Sequence, residues 1–461
     1  MIAKIQELVG KQYVLTDPSD LQEYGVDWSK ADIPAPLAIV LPASTSEVSK
    51  VLGFCYRHKL AVVPSGGRTG LAGGAVAAHG EVVISLRRMN NIVEVDDVGM
   101  TIHVQAGVTT QAVQEAAVNA GAFFALDLAA KGSSQIGGNL ATNAGGLKLI
   151  RYGGAREQVI GLEVVLADGT ILNLNHQLRK NNVGYDLKQI FIGSEGTLGI
   201  ITEATLRMVT KPRELQLCCL AVPDAEAMMS ILKTCHQSGM TLTAFEFFDH
   251  VSLELVLKHH QEVRCPFEQA SPLYVLLEFE VAKSDDGDLT TLLEGLFEAQ
   301  LAIDGVIATS HKELQEIWSL RELISESLTM EGRVRKNDVS VPIRKIGGFL
   351  EKIQDITRLH ADQIKAFFFG HVGDGNVHIN YVGDFNLDRL EFEAHCKAIE
   401  EQVFQTVRDL NGSISAEHGI GILKKNDLHY SCSETSLRLM KAIKMCFDQN
   451  LILNPGKIFD M

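Results

Sequence analysis

Ala61-Val62-Val63-Pro64-Ser65-Gly66-Gly67-Arg68-Thr69-Gly70-Leu71-Ala72-Gly73-Gly74 joins a short apolar strand to a glycine-rich loop, and the fold turns on what that loop holds. An apolar run of this length, closed by turn residues, reads as a buried strand. Glycine permits positive φ and close backbone approach, so the loop can turn several N–H groups onto a phosphate. Upstream, Leu37 to Leu41 is another buried-strand run, Ser44-Thr45-Ser46-Glu47 is a capping box, and Val48 to His58 is the helix that follows. Short strands alternating with helices are the expectation for the first two hundred residues.

Two standard nucleotide fingerprints are missing. No segment reads G-x-x-x-x-G-K-[ST], and none reads G-x-G-x-x-G after a strand, which removes the best support for ATP use or a Rossmann NAD site. Instead the chain carries two further glycine runs. Gly132-Ser133-Ser134-Gln135-Ile136-Gly137-Gly138-Asn139-Leu140-Ala141-Thr142-Asn143-Ala144-Gly145-Gly146 is one, and Gly193-Ser194-Glu195-Gly196-Thr197-Leu198-Gly199-Ile200-Ile201-Thr202 is the other. A lone glycine loop is commonly a surface turn. Three, rich in Ser, Thr and Asn and each abutting an apolar strand, suit an extended dinucleotide.

With 461 residues the chain exceeds what one hydrophobic core serves, so two or more domains are expected. A net charge of -15 argues against nucleic acid as a partner, because phosphates need Lys and Arg to neutralise them. The cysteines at 55, 218, 219, 235, 265, 396, 432 and 446 form no Cys-x-x-Cys, a pattern of scattered core thiols in a reducing compartment. The N-terminus lacks a long apolar run, and no stretch approaches ~18 uncharged apolar residues. A soluble, cytoplasmic protein without an integral membrane segment is expected, at most peripheral to a membrane.

Residues 371 to 378, His-Val-Gly-Asp-Gly-Asn-Val-His, offer a second chemistry. His371 and His378 are seven apart and would face opposite ways on one uninterrupted strand. Gly373-Asp374-Gly375 lies between two β-rich runs, Ala366 to Gly370 and Asn376 to Val382, so a turn there can bring both imidazoles to one end. With Glu417 of Ser415-Ala416-Glu417-His418-Gly419-Ile420-Gly421 they form a three-ligand set for a divalent metal with a position left open. The same residues also make a tight turn without a metal. Zinc is the mildest assumption, because it adds no redox chemistry.

Pro64 to Gly70, the Gly137 to Gly146 run and Gly193 to Thr202 together resemble the FAD-binding signature of the vanillyl-alcohol oxidase/p-cresol methylhydroxylase flavoproteins. Within that superfamily the chain is similar to the D-2-hydroxyacid dehydrogenases: D-lactate dehydrogenases, glycolate oxidase subunits and, most closely, D-2-hydroxyglutarate dehydrogenases. The resemblance runs down to Asn454-Pro455-Gly456-Lys457. It implies an α+β protein with an FAD-binding domain over 1–213, an α+β cap carrying substrate and metal over 214–433, and a C-terminal segment, 434–461, returning to the FAD domain. It places the backbone amides of Gly66, Gly67, Arg68, Thr69, Gly70 and Leu71 around the pyrophosphate, with Pro64 and Ser65 also binding the cofactor. Ser134, Gly137, Gly138, Asn139, Thr142, Asn143 and Gly145 of the second run, Glu195, Gly196, Ile200 and Ile201 of the third, and Asn454 would lie along the cofactor. The loop from Ser65 to Gly74 contains no His or Cys, so noncovalent FAD is expected.

The resemblance also gives roles to residues whose spacing alone says little. Trp318 to Leu328 reads as a helix that stacks Arg321 and Ser325 at i and i+4, which from spacing is a solvated face. In the relatives an Arg and a Thr at this spacing hold a substrate carboxylate; here Ser325 replaces the Thr. Lys336, in a basic segment where a lysine is ordinarily solvated, matches a lysine of the same pocket. Two cations exceed what a monocarboxylate needs and suit a dicarboxylate. Asn380, on the strand face of His378, can donate to substrate, and His418 beside the metal ligand can accept the hydroxyl proton while hydride passes to the flavin. The small-molecule substrate is a D-2-hydroxy acid, D-2-hydroxyglutarate first and D-malate next. Electrons then go to an acceptor such as a quinone or an electron-transfer protein, and a homodimer is the default assembly. The alternatives are the same chemistry on D-lactate or glycolate, a metal-dependent hydrolase without flavin, and a noncatalytic flavin-binding subunit of a redox complex.

Overall fold

Hydrophobic burial divides the chain into two compact units in a computed structural model that describes residues 1–212, 214–281 and 288–461. The first unit comprises Met1–Gly146, Tyr152–Lys211 and Glu417–Met461, and the second Leu147–Arg151 and Pro212–Ala416. The domain boundary expected after Arg213 falls on a residue outside those described. The chain re-enters the first unit at Glu417, where the sequence reading drew that boundary at Glu434. The physical reason is local: the N–H groups of Ile420 and Gly421 donate to the Glu195 carboxylate, tying this segment to the third glycine run.

In the first unit Ala38–Val40 and Val62–Ser65 both pair in parallel with Val82–Ser85. The helix Thr45–His58 makes the crossover, as β-α-β connection in a parallel sheet requires. It starts with half of the expected capping box: Ser44 Oγ accepts from Glu47 N at 3.3 Å, while Glu47 Oε2 accepts at 2.8 Å from Ala43 N, one residue before the cap, rather than from Ser44 N. A second, antiparallel sheet orders its strands Ile92–Asp96, Thr101–Gln105, Ile200–Arg207, Val159–Val165, Ile171–Asn173. Val40, Val62, Ile102, Leu162 and Ala204 join both sheets in one core. The C-terminal segment docks by backbone: Val62 N donates to Ile452 O and Asn454 N to Val62 O, both at 2.7 Å.

Among the described residues the second unit is built on seven strands: β1 (Glu214–Val222), β2 (Thr241–Asp249), β3 (Leu273–Val281), β4 (Asp304–Ile307), β5 (Arg333–Ser340), β6 (Lys365–Gly370) and β7 (Asn376–Gly383). Their order is β4-β1-β3-β2-β6-β7-β5, and every pairing is antiparallel. The central strands are apolar almost without alternation, because both faces are covered; β7 is buried over its whole length. One face packs on helices His311–Glu322 and Ile324–Glu331 through Trp318, Leu320, Ile324, Phe248, Phe367 and Phe369. The single helix expected over Trp318 to Leu328 is thus two, interrupted at Leu323. Cys55, Cys218, Cys219, Cys235 and Cys396 are buried free thiols, and burial pushes that of Cys55 up to about 12. Among the described residues no helix is long and apolar enough to cross a membrane.

Candidate active site

The three glycine runs converge in the first unit on one open cavity. Residues 64–70 line it with Gly137, Gly138, Asn139 and Thr142 of the second run, Glu195, Gly196, Ile200 and Ile201 of the third, and His418. Among the described residues no backbone N–H from Gly66 to Leu71 donates to a protein acceptor. None of these six residues is buried, so their amides are open to a ligand, and several N–H groups on one loop are what an anion needs. Ser65 Oγ and Gln135 Oε1, also on the cavity, are buried without a hydrogen-bond partner. A Cβ added at Gly138 would meet nothing within 4 Å, whereas one at Gly67 would lie 2.0 Å from Ser133 O. Gly138 therefore leaves room for a ligand, and Gly67 leaves room for the neighbouring loop.

Five expected cofactor residues do not line this cavity. Ser134 Oγ is 2.9 Å from Thr110 Oγ1, and Asn143 Oδ1 accepts from Arg156 N at 3.1 Å. Asn454 Nδ2 donates to Gly74 O at 2.8 Å and Glu195 O at 2.7 Å, bracing two glycine runs from behind. Leu71 and Gly145 are the other two.

In the second unit the sheet register collects polar residues on one face. Asp338 on β5 is opposite His378 on β7, which is opposite Phe369 on β6, which is opposite Phe248 on β2. One step along the same face, Lys336 is opposite Asn380 and Asn380 opposite Phe367. The turn between β6 and β7 is a short 3-10 segment closed by Gly375 at φ +95°, and it sets the His371 and His378 rings 5.2 Å apart. Seven-residue spacing thus ends with both imidazoles together, as the Gly-Asp-Gly turn allows.

Glu246 on β2, with 1% side-chain exposure, sits between two expected site residues. Its Oε1 is 2.7 Å from His371 Nδ1 and its Oε2 is 3.0 Å from Arg321 Nη2. The Arg321 guanidinium also lies 4.7 Å from the centroid of the Phe369 ring, while its Nε is buried without a hydrogen-bond partner. Asn380 Nδ2 is likewise buried and unpartnered. Burial lowers the pKa of the Lys336 ammonium, and among the described residues it makes no ion pair. Arg321 is buried whereas Ser325, in the next helix, is exposed, and the buried hydroxyl of that helix belongs to Ser327.

Glu417 opens the last stretch of the first unit, its Oε1 4.0 Å from His418 Nε2. The residue before it, Ala416, closes the second unit and donates its N–H to Asp338 Oδ2 at 3.0 Å. Asp338 Oδ1 is in turn 3.8 Å from His378 Nδ1. Glu246 and Asp338 escaped the sequence reading. For Glu246 the signal was a carboxylate within a strand otherwise bound for the interior, since buried acids need partners.

Two family comparisons cover most of the chain: residues 36–175 match the FAD binding domain, and 211–458 match the C-terminal domain of FAD linked oxidases. The chain is 45% identical over 460 residues to the D-2-hydroxyglutarate dehydrogenase of Stutzerimonas stutzeri, covering 100% of this chain and 98% of that one. It is 40% identical over 448 residues to the mitochondrial D-2-hydroxyglutarate dehydrogenase of Rattus norvegicus, covering 96% and 82%. Among solved structures, p-cresol methylhydroxylase with substrate bound aligns at TM-score 0.78 and 17% identity, over 100% of this chain and 96% of that one. Alkyldihydroxyacetonephosphate synthase aligns at TM-score 0.74 and 20% identity, over 96% and 83%. These two likenesses show the fold, the one expected from the glycine runs.

Proposed function

The chain belongs to the FAD-linked oxidase family, and from that premise we propose that it is a dehydrogenase oxidising a D-2-hydroxy acid to the 2-keto acid, with D-2-hydroxyglutarate the preferred substrate and D-malate next. The observation that carries the substrate reading is the polar face of the second unit. Arg321 Nε and Asn380 Nδ2 are buried donors without partners, and Lys336 is a desolvated ammonium beside Asn380. Leaving such donors unsatisfied is costly, and a ligand with two carboxylates satisfies them.

The cavity fits noncovalent FAD, with the amides of Gly66 to Leu71 binding its pyrophosphate. Bound FAD supplies the hydride acceptor. Arg321 and Asn380 orient the C1 carboxylate, Lys336 takes the distal one, and His418 accepts the hydroxyl proton. His371, His378 and Glu417 would hold a divalent cation, zinc by preference, with Asp338 as a further oxygen. Such a cation supplies Lewis acidity toward the substrate hydroxyl. Glu246 supports this set, because a carboxylate on Nδ1 fixes the His371 ring and leaves Nε2 to a cation. The protein would work with an external electron acceptor, a quinone or an electron-transfer protein, as a cytoplasmic homodimer.

The test is the visible spectrum of the purified protein, followed by turnover with an artificial electron acceptor on D- and L-2-hydroxy acids of increasing length. Yellow protein with highest kcat/KM on D-2-hydroxyglutarate is the expected result. Colourless protein would favour a metal-dependent hydrolase, and flavin without turnover a binding subunit. Equal rates on D-lactate or glycolate would remove the dicarboxylate preference.

A further inference from the structure

Glu195 is a non-glycine residue in the left-handed region, φ +49°, and 9% exposed. That conformation is uncommon and has to be held by its surroundings. Here Glu195 N donates to Ala141 O at 2.8 Å, and Glu195 O accepts from Asn454 Nδ2 at 2.7 Å. The backbone is held on both sides, and the carboxylate reaches out in one direction.

That direction is the loop carrying His418. Glu195 Oε1 accepts from Ile420 N at 2.8 Å, and Oε2 accepts from Gly421 N at 2.9 Å. A Cβ on Gly419 would lie 3.0 Å from Oε1, and its φ of +80° favours glycine, so the loop closes tightly over the carboxylate. The far side of the loop is anchored independently: Ile422 N and Leu423 N both donate to Ala72 O, at 2.9 and 3.2 Å. Two adjacent N–H donors call for a group that accepts at both positions. A carboxylate does so, and an amide would present its own donor to one of them. The His418 side chain lines the same cavity as Glu195.

We propose that Glu195 is the positioning residue of His418: its carboxylate fixes the His418-to-Gly421 loop so that the imidazole stays on the flavin cavity. The inference rests on the reading of His418 as the proton acceptor. It gives Glu195 a different task from the cofactor contact expected of the third glycine run, since both carboxylate oxygens are committed to the loop.

The test measures flavin content, the rate of flavin reduction at saturating D-2-hydroxyglutarate, and amide hydrogen exchange in Glu195→Gln, His418→Ala and the double variant. Glu195→Gln should keep its FAD, exchange faster at Ile420 and Gly421, and reduce its flavin roughly 10- to 100-fold more slowly, as misplacement of a catalytic group does. The double variant should be no slower than His418→Ala, because a residue acting through His418 has nothing left to position. Glu195→Asp, which keeps the charge and withdraws it by one methylene, should repeat this pattern. Multiplicative losses in the double variant, loss of FAD, or an unchanged rate in Glu195→Gln would each overturn the proposal. Full activity in His418→Ala would instead remove the base reading itself.

Discussion

Glu246 and Arg321 form a buried ion pair, Oε2 to Nη2 3.0 Å, at 1% and 8% side-chain exposure, and the other oxygen of the same carboxylate holds His371 Nδ1 at 2.7 Å. One acid in the middle of a strand thus presets both a guanidinium and an imidazole. Removing one partner of a buried pair strands the other, so Glu246→Gln should destabilise the protein by about 3 kcal/mol. The freed Arg321 should then bind anions better. In thermal unfolding the 2-keto acid product should raise the Tm of the variant more than that of the wild type; equal shifts would show that Arg321 does not meet the ligand.

Gly138→Val should lower FAD occupancy at least tenfold while the apoprotein keeps its fold. The added carbons meet no protein atom within 4 Å at the Cβ and enter the cavity. Gly67→Val cannot separate binding from folding, because its Cβ would press on Ser133 O at 2.0 Å. Flavin absorbance per chain beside far-ultraviolet circular dichroism checks both variants. Full flavin occupancy in Gly138→Val would place the cofactor elsewhere.

His371→Ala and His378→Ala should each lose metal and turnover and keep FAD. Both histidines belong to the second unit, and the glycine-run cavity to the first. Elemental analysis alongside the flavin spectrum is the measurement, and undiminished metal in either variant would rule that residue out as a ligand.

Lys336→Met should remove an interaction worth on the order of 1 to 3 kcal/mol for a hydroxy dicarboxylate, roughly 5- to 150-fold in kcat/KM, and leave a monocarboxylate nearly unaffected. Lys336 is half-buried opposite Asn380, and burial lowers the pKa of its ammonium. Loss on both kinds of substrate would place it at the shared C1 end.

Acid stability should depend on Glu331. Burial raises its carboxyl pKa, but hydrogen bonds from Lys258, His259 and Lys365 outweigh burial and bring it down to about 2, from an ordinary 4.5. A depressed carboxylate contributes stability that is fully present above the unfolded-state pKa and is lost as pH falls through the folded one. Glu331→Gln should therefore be less stable than wild type by about 1 kcal/mol at pH 7. The difference in Tm should shrink as pH falls from 5 toward 2; a constant difference would mean that packing, not charge, makes the contribution.

The features legible in the amino-acid sequence are those that short-range physics sets. The strand from Val62 to Ser65, the cap at Ser44 and Glu47, the Gly-Asp-Gly turn and the ligand-ready glycine loops each follow from neighbours within a few residues. Tertiary packing decided the rest. That Gly67 yields to Ser133, that Asn454 braces Gly74 and Glu195 instead of lining the cavity, and that Ser325 is exposed where Arg321 is buried are not encoded in any local pattern. Glu246 is the clearest case. Its partner His371 lies 125 residues away, and only the register of the strands brings the two together, because a strand's own pattern shows which residues share a face but not which strand will be its neighbour.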